Sequence, residues 1–159
     1  MQVERPGPEG EGEEETEPPS RDRLTLVGVH VLVVDDDESL AELFVRALLA
    51  AGAVVRSTPN GREALEALRD ARFDVLVSDL DMPHLDGLGL VSQVRASERH
   101  RALPALALTG STTPDIRRRA LEAGFDEFAT KPVLAADLVA AVKRLLGAKA
   151  ARALERPVE

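Results

Sequence analysis

The stretch Val75-Leu76-Val77-Ser78-Asp79-Leu80-Asp81-Met82-Pro83-His84-Leu85-Asp86-Gly87 decides the fold. A short apolar run ends in a carboxylate and passes at once into a turn containing Pro and Gly. That is the carboxyl end of a buried strand, the edge where an open α/β sheet places its chemistry. Three other strand-like runs end in the same way. Residues 31–34 lead into Asp35-Asp36-Asp37, residues 105–108 into Thr109-Gly110, and residues 127–130 into Lys131-Pro132. Acids, a hydroxyl and an amine therefore meet on one edge.

Apolar runs alternate with helical patterns from about His30 onward, which predicts βαβ units and a parallel sheet. Strands are expected at 30–35, 53–57, 74–79, 104–109 and 126–130, and helices at 38–51, 61–70, 87–98, 113–123 and 134–147. The punctuation agrees with these bounds. Ser39-Leu40-Ala41-Glu42 reads as a capping box, and Gly52 and Gly124 follow their helices as terminating glycines. Thr113-Pro114 supplies a cap and a first-turn proline, and Pro104 opens a strand where its missing N–H is tolerated.

With 159 residues the chain has room for one domain and one core. It has no Cys, which excludes disulfides, thiolate metal sites and a Cys nucleophile. Its apolar stretches are too short for a membrane span and its amino-terminal segment is acidic, so a cytoplasmic location is expected. The net charge of −8 is uneven: residues 1–23 hold eight acids and three bases, a net −5, leaving twenty acids and seventeen bases, a net −3, for residues 24–159. Residues 1–23 are rich in Glu, Pro and Gly and nearly free of apolar side chains, so they are expected to be a disordered acidic tail. The folded unit is expected to span 24–149, with a short tail at 150–159. Arg117-Arg118-Arg119 is the one basic cluster, and consecutive helical positions point in different directions, which reads as a solvated face.

The strand-end residues define a chemistry. Asp35, Asp36 and Asp79 would bring like charges together and raise at least one pKa unless a cation intervenes. Oxygen ligands without His or Cys favour Mg²⁺ or Mn²⁺ over zinc. Lys131 is one of three lysines in a chain that otherwise uses Arg, which points to a need for a compact ammonium. Thr109 offers a hydroxyl donor. A carboxylate nucleophile, a divalent cation, an ammonium and a hydroxyl form a phosphoryl-transfer set, with an aspartyl phosphate as product.

Residues 29–147 resemble a receiver domain of the two-component response regulators. The resemblance rests on Val33-Val34-Asp35-Asp36, Ser78-Asp79 with Met82-Pro83 and Asp86-Gly87, Leu108-Thr109-Gly110, and Thr130-Lys131-Pro132. It implies a flavodoxin-like, doubly wound, five-stranded parallel sheet of (βα)5 form. It further implies that Asp79 accepts a phosphoryl group from a histidine kinase or histidine phosphotransfer protein, and that Asp36, Asp79 and the backbone carbonyl of Asp81 bind Mg²⁺, with Asp35 helping through water. By the same resemblance Lys131 pairs with the phosphoryl group, Thr109 bonds it and moves, Phe128 is the aromatic switch, and Lys131-Pro132 is a cis peptide. Asp81 and Ser111 occupy the positions that tune phosphoryl lifetime, and Val133 stands where many relatives carry Phe. Asp37 is assigned to the first helix's amino end, where an acid favours the dipole, and not to the metal.

Two other functions share some of these features. Asp79-Leu80-Asp81 also resembles the nucleophile motif of haloacid-dehalogenase-type phosphatases, but in that family the nucleophile strand comes first and the acidic pair last, whereas here Asp35-Asp36 leads. A receiver that only binds a partner would have no need for the whole set of Asp36, Asp79, Thr109 and Lys131. About a dozen residues follow the expected last helix, too few for a DNA-binding module, so output through protein contacts is expected, without nucleic acid or membrane. On a wheel of residues 38–51, Leu40, Phe44, Ala47, Leu48 and Ala51 form the packing face with Leu43 at its edge. Leu49 and Val45 fall toward solvent, and are expected to form part of a kinase-docking surface.

Overall fold

The computed structural model describes residues 25–111 and 113–155. The acidic segment 1–23 lies outside the described residues. The elements alternate strictly: β1 (His30–Val34), α1 (Glu38–Ala50), β2 (Val54–Thr58), α2 (Gly61–Asp70), β3 (Val75–Asp79), α3 (Gly87–Ala96), β4 (Ala105–Thr109), α4 (Pro114–Ala123), β5 (Glu127–Thr130) and α5 (Ala135–Glu155). All strand pairs are parallel and the sheet order is β2-β1-β3-β4-β5. The chain therefore reverses its direction of travel between β1 and β3, the switch point at which such sheets open a crevice.

Strand alternation divides the core in two. Val31, Val33, Val75, Val77, Leu106 and Leu108 face one side, where Phe44 and Leu48 of α1 and Leu138, Val142 and Leu145 of α5 cover them. Leu32, Val34, Leu76, Ala105 and Ala107 face the other side, against Ala64 and Leu68 of α2, Leu90, Val91 and Val94 of α3, and Ala120 of α4. Burial on both faces is why the central strands read as unbroken apolar runs.

Most helix ends follow the sequence signals. Asn60 caps α2 by accepting from the Glu63 N–H at 2.9 Å, and Thr113 caps α4 ahead of Pro114. Gly52 and Gly124 adopt positive φ beyond α1 and α4. The start of α1 differs from the expected Ser39 box. Asp37 is the cap, accepting from the N–H groups of Ser39 at 3.0 Å and Leu40 at 3.2 Å. Its own N–H donates to the Asp35 carboxylate at 2.9 Å, which fixes the cap two residues earlier and leaves Ser39 inside the first turn. Asp37 thus stands at the amino end of the helix, as expected, and caps it as well.

The last helix is longer than the expected 134–147. It continues to Glu155, because Gly147 is followed by Ala148, Lys149, Ala150, Ala151 and Arg152, all strong helix formers, with no proline to stop it. Val133 packs against the core beside α5.

At the amino edge of the sheet, Arg95 joins the α3–β4 and α4–β5 loops. Its guanidinium donates to the carbonyls of Gly124 at 2.9 Å, Arg101 at 3.0 Å and Leu103 at 2.7 Å, and pairs with Asp126 at 3.0 Å. Asp126 in turn accepts from the Ala105 N–H at 2.8 Å.

Candidate functional site

Strand register assembles the site. Val34 lies opposite Ser78, so Asp35 follows level with Asp79, and Thr109 lies opposite Thr130, so Lys131 projects from the next position. The backbone of this edge is tied together. The Asp35 N–H donates to the Thr58 carbonyl at 3.2 Å, Leu80 to Leu108 at 3.1 Å, and Lys131 to Thr109 at 2.7 Å. Buried Ser78 donates its hydroxyl to the Asp79 carbonyl at 2.8 Å.

The motif Asp86-Gly87 holds the loop after β3. Asp86 caps α3 by accepting from the Gly89 N–H at 2.8 Å, and the Gly87 N–H donates to the Leu80 carbonyl at 2.9 Å. A Cβ on Gly87 would lie 2.3 Å from the Asp79 carbonyl oxygen and 2.8 Å from the Leu80 Cα, so only glycine lets α3 begin this close to the strand end. Met82 and Leu85 pack the same loop onto the core.

Lys131 bridges the acids. Its ammonium lies 3.1 Å from an Asp35 carboxylate oxygen and 3.3 Å from one of Asp79. Asp35 is 3% exposed and Asp79 7%, while Asp36 is exposed. Burial pushes the Asp79 carboxyl up; Lys131 pulls it down and the Asp35 charge pushes it up again, leaving it above the ordinary carboxylate range. Burial pushes Lys131 down, but its hydrogen bond to Asp35 and the charges of Asp79 and Asp35 outweigh this and hold it above the ordinary lysine range.

Asp35, Asp36 and Asp79 each offer a carboxylate oxygen, all within 4.8 Å of one another. This donor set, oxygen only and open to solvent through Asp36, fits a hard divalent cation. Lys131 neutralises only part of the cluster's charge, so the excess negative charge also favours a cation there.

Thr109 is 1% exposed and its hydroxyl oxygen accepts from the Ser111 N–H at 3.1 Å. The Ser111 hydroxyl lies 3.3 Å from that of Thr113, the cap of α4, and so links the site to that helix. Asp81 is exposed, and its backbone, close to the Asp79 carboxylate, helps to lower that group's pKa. Phe128 is half-buried on β5, with the Arg117 guanidinium 5.9 Å from its ring centroid. Lys131-Pro132 is cis.

The two residues expected at a docking surface are not equivalent. Leu49 is 52% exposed, whereas Val45 is half-buried and packs against the core beside β2. Leu43, expected at the margin of the packing face, is 61% exposed. The difference arises because β2 and the turn at Pro59 reach along the Val45 side of α1 and leave the Leu43 side to a shallow groove. That groove is lined by Leu40, Leu43, Phe44, Pro132 and Leu134, immediately beside Lys131. Leu134, 70% exposed, was expected to open the last helix but lies just before it, and in the unbroken apolar run 133–136 no periodicity assigns it a face.

The acids and Lys131 converge at the carboxyl edge of a doubly wound sheet, and the family model of the response regulator receiver domain matches residues 31–143. The chain belongs to that family. It is 40% identical over 116 residues to the transcriptional regulatory protein PrrA of Mycobacterium tuberculosis, covering 73% of this chain and 49% of PrrA. The match thus spans about half of that relative's length. Among solved structures, a response regulator of Chloroflexus aurantiacus J-10-fl superposes with TM-score 0.73 at 34% identity, covering 75% of this chain and 98% of that one. The receiver domain of the sensor histidine kinase PA1611 of Pseudomonas aeruginosa PAO1, with magnesium coordinated in its active-site cleft, gives TM-score 0.71 at 28% identity and covers 76% and 99%. Among the described residues no helix is long and apolar enough to cross a membrane.

Proposed function

We propose that this domain takes a phosphoryl group onto Asp79 from the phosphohistidine of a kinase or histidine phosphotransfer protein. The observation that carries the reading is the convergence of Lys131 on Asp79 and Asp35 at 3.3 and 3.1 Å, beside an oxygen-only cluster with Asp36. An Asp79 carboxylate oxygen attacks phosphorus, the phosphorus–nitrogen bond to the donor imidazole breaks, and the imidazole leaves with the bond's electron pair. Asp36, Asp79 and the Asp81 backbone carbonyl would hold Mg²⁺, with Asp35 acting through water; the ion supplies charge neutralisation for the transferring group. Lys131 turns from the two carboxylates to the phosphoryl oxygens, and the Thr109 hydroxyl donates to one of them. Both contacts act by positioning and electrostatics, as expected for this class of transfer.

Movement of Thr109 toward the phosphoryl group frees space beside β4, and Phe128 turns into it. Half-burial of Phe128 beside Thr109's neighbour strand supports this switch. Asp81 and Ser111, flanking the site, set the lifetime of the acyl phosphate. The donor docks along α1, where Leu43 and Leu134 offer apolar contact next to Lys131 and exposed Leu49 extends the surface toward the far end of the helix; half-buried Val45 contributes at most an edge. Output passes to a protein partner in the cytoplasm.

The test is a mass measurement after incubation with acetyl phosphate. One added phosphoryl group is expected with Mg²⁺ and none with EDTA. Labelling that persists without a divalent ion would refute the metal-dependent mechanism.

A further inference from the structure

The end of the sheet opposite Asp79 carries a second charged feature. A cleft of about 330 Å³ opens between the α2–β3 and α3–β4 loops and the far part of α5, lined by Arg72, Phe73, Arg99, His100, Leu103 and Lys149. Phe73 lies six residues before Asp79, so at about 3.3 Å per residue along β3 the cleft is roughly 20 Å from the phosphoacceptor.

Arg72, Arg99 and Lys149 are exposed, and none of them has a carboxylate within ion-pair distance among the described residues. Arg99 donates only to the Arg69 carbonyl, at 3.3 Å. Asp74, the acid nearest Phe73, is turned away, accepting from the His30 N–H at 2.8 Å. Lys149 reaches the cleft because α5 runs past Gly147. Burial, and then the Arg99 guanidinium, push the His100 imidazole below its usual range, so Arg72, Arg99 and Lys149 hold the positive charge.

The chain carries a complementary segment. Glu9, Glu11, Glu13, Glu14, Glu15 and Glu17 lie within nine residues that contain no base. The chain enters the fold at this same end of the sheet, where the Leu26 N–H donates to the Ala51 carbonyl at 2.8 Å, just before β1. From β1 to the cleft under β3 and β4 is about two strand spacings, on the order of 10 Å, and the eight residues from Glu17 to Thr25 can span roughly 26–29 Å.

We infer that the cleft between Arg72, Arg99 and Lys149 is a docking site for the chain's own acidic segment, residues 9–17. The three cations meet the glutamates at the cleft rim, and the Phe73 and Leu103 floor takes the intervening Gly and Thr residues. Docking leaves the phosphoacceptor edge open, and an acidic partner protein would have to displace the segment to reach this end.

The chain has no Cys, so a spin label on Gly10→Cys reports the segment in the full-length protein. Strong paramagnetic broadening of amides at 72–73, 99–103 and 149 is expected at low salt. It should fade as the ionic strength rises toward about 1 M, where the Debye length is about 3 Å. It should also disappear when Arg72, Arg99 and Lys149 are all replaced by Glu. Because those side chains are exposed, the variant should keep the wild-type amide spectrum elsewhere. The salt titration of the wild-type chain tests the same point without that variant. Broadening that survives charge reversal and salt, that is spread evenly over the surface, or that is seen only between labelled and unlabelled copies in a mixture overturns the inference.

Discussion

Burial pushes the Asp79 carboxyl up, and Lys131 offsets this only in part. An acid whose folded-state pKa is raised binds its proton more tightly in the fold than in the unfolded chain. The metal-free protein therefore loses stability as pH rises from the ordinary value of 3.8 through the raised one, and the loss is complete above it. Asp79→Asn should accordingly raise the melting temperature in EDTA at neutral pH, with the advantage shrinking toward pH 4 as the wild-type carboxyl protonates. Mg²⁺ should reverse the order. At about a hundred times its dissociation constant the ion adds roughly 2.7 kcal/mol to the protein that binds it, and the Asn variant, lacking one carboxylate ligand, gains less. A thermal melt series across pH, with and without Mg²⁺, checks both signs. Asp81 poses a different question. It sits in the open beside Asp79, where its charge can repel or reorient an attacking water. Asp81→Asn should change the decay rate of the phosphorylated form without lowering the extent of phosphorylation; an equal half-life would make Asp81 a solvated loop acid.

Each strand and helix shows why some of the architecture was readable in advance. The β3 run and the three companion runs announce themselves because a strand buried on both faces has no polar interruptions, and the residues that end it are acids, a hydroxyl and an amine. A cap that relies on a single side chain, Thr113, followed from local chemistry alone. The α1 cap did not, since Ser39 and Asp37 both offer a capping oxygen and the choice falls to Asp37, whose backbone N–H is held by the Asp35 carboxylate in an Asx turn. Arg95 carried no signal either: its partners are carbonyls of residues 101, 103 and 124, brought together only by the fold. Gly87 is the element-level residue on which the site depends most. Gly87→Ala forces α3 away from the end of β3, and should cost about 1–3 kcal/mol of stability by overpacking. It should also slow phosphorylation, because the displaced atom is the Asp79 carbonyl. Denaturant titration and a phosphorylation time course with acetyl phosphate measure the two effects; an unchanged rate would show that Asp79 tolerates the shift.

Seen whole, the molecule gathers carboxylates and Lys131 at the carboxyl edge of the sheet, while at the amino edge, beside the Arg95–Asp126 pair, Arg72, Arg99 and Lys149 have no ion-pair partner among the described residues. The acidic edge was legible because four motifs each end a strand. The basic edge was not, because Arg72, Arg99 and Lys149 are scattered through three segments and converge only on folding. The proposed donor surface lies between these extremes. A wheel of α1 placed Leu49 outward correctly but exchanged the surroundings of Val45 and Leu43, since it cannot register which side β2 and its following turn will cover. Replacing Leu43 and Leu134 with Ser should slow transfer from the cognate kinase by about tenfold or more, the loss of roughly 1.4 kcal/mol of contact. Phosphorylation by acetyl phosphate should be unchanged, and equal loss with both donors would indicate a damaged fold. The most direct test of the central claim is to locate the phosphoryl group itself. After Mg²⁺-dependent phosphorylation, borohydride reduction of the acyl phosphate and peptide mass spectrometry should place the modification on residue 79 alone, and on no residue in the Asp79→Asn protein. Modification at Asp35, Asp36 or Asp81, or labelling undiminished by that substitution, would contradict the account.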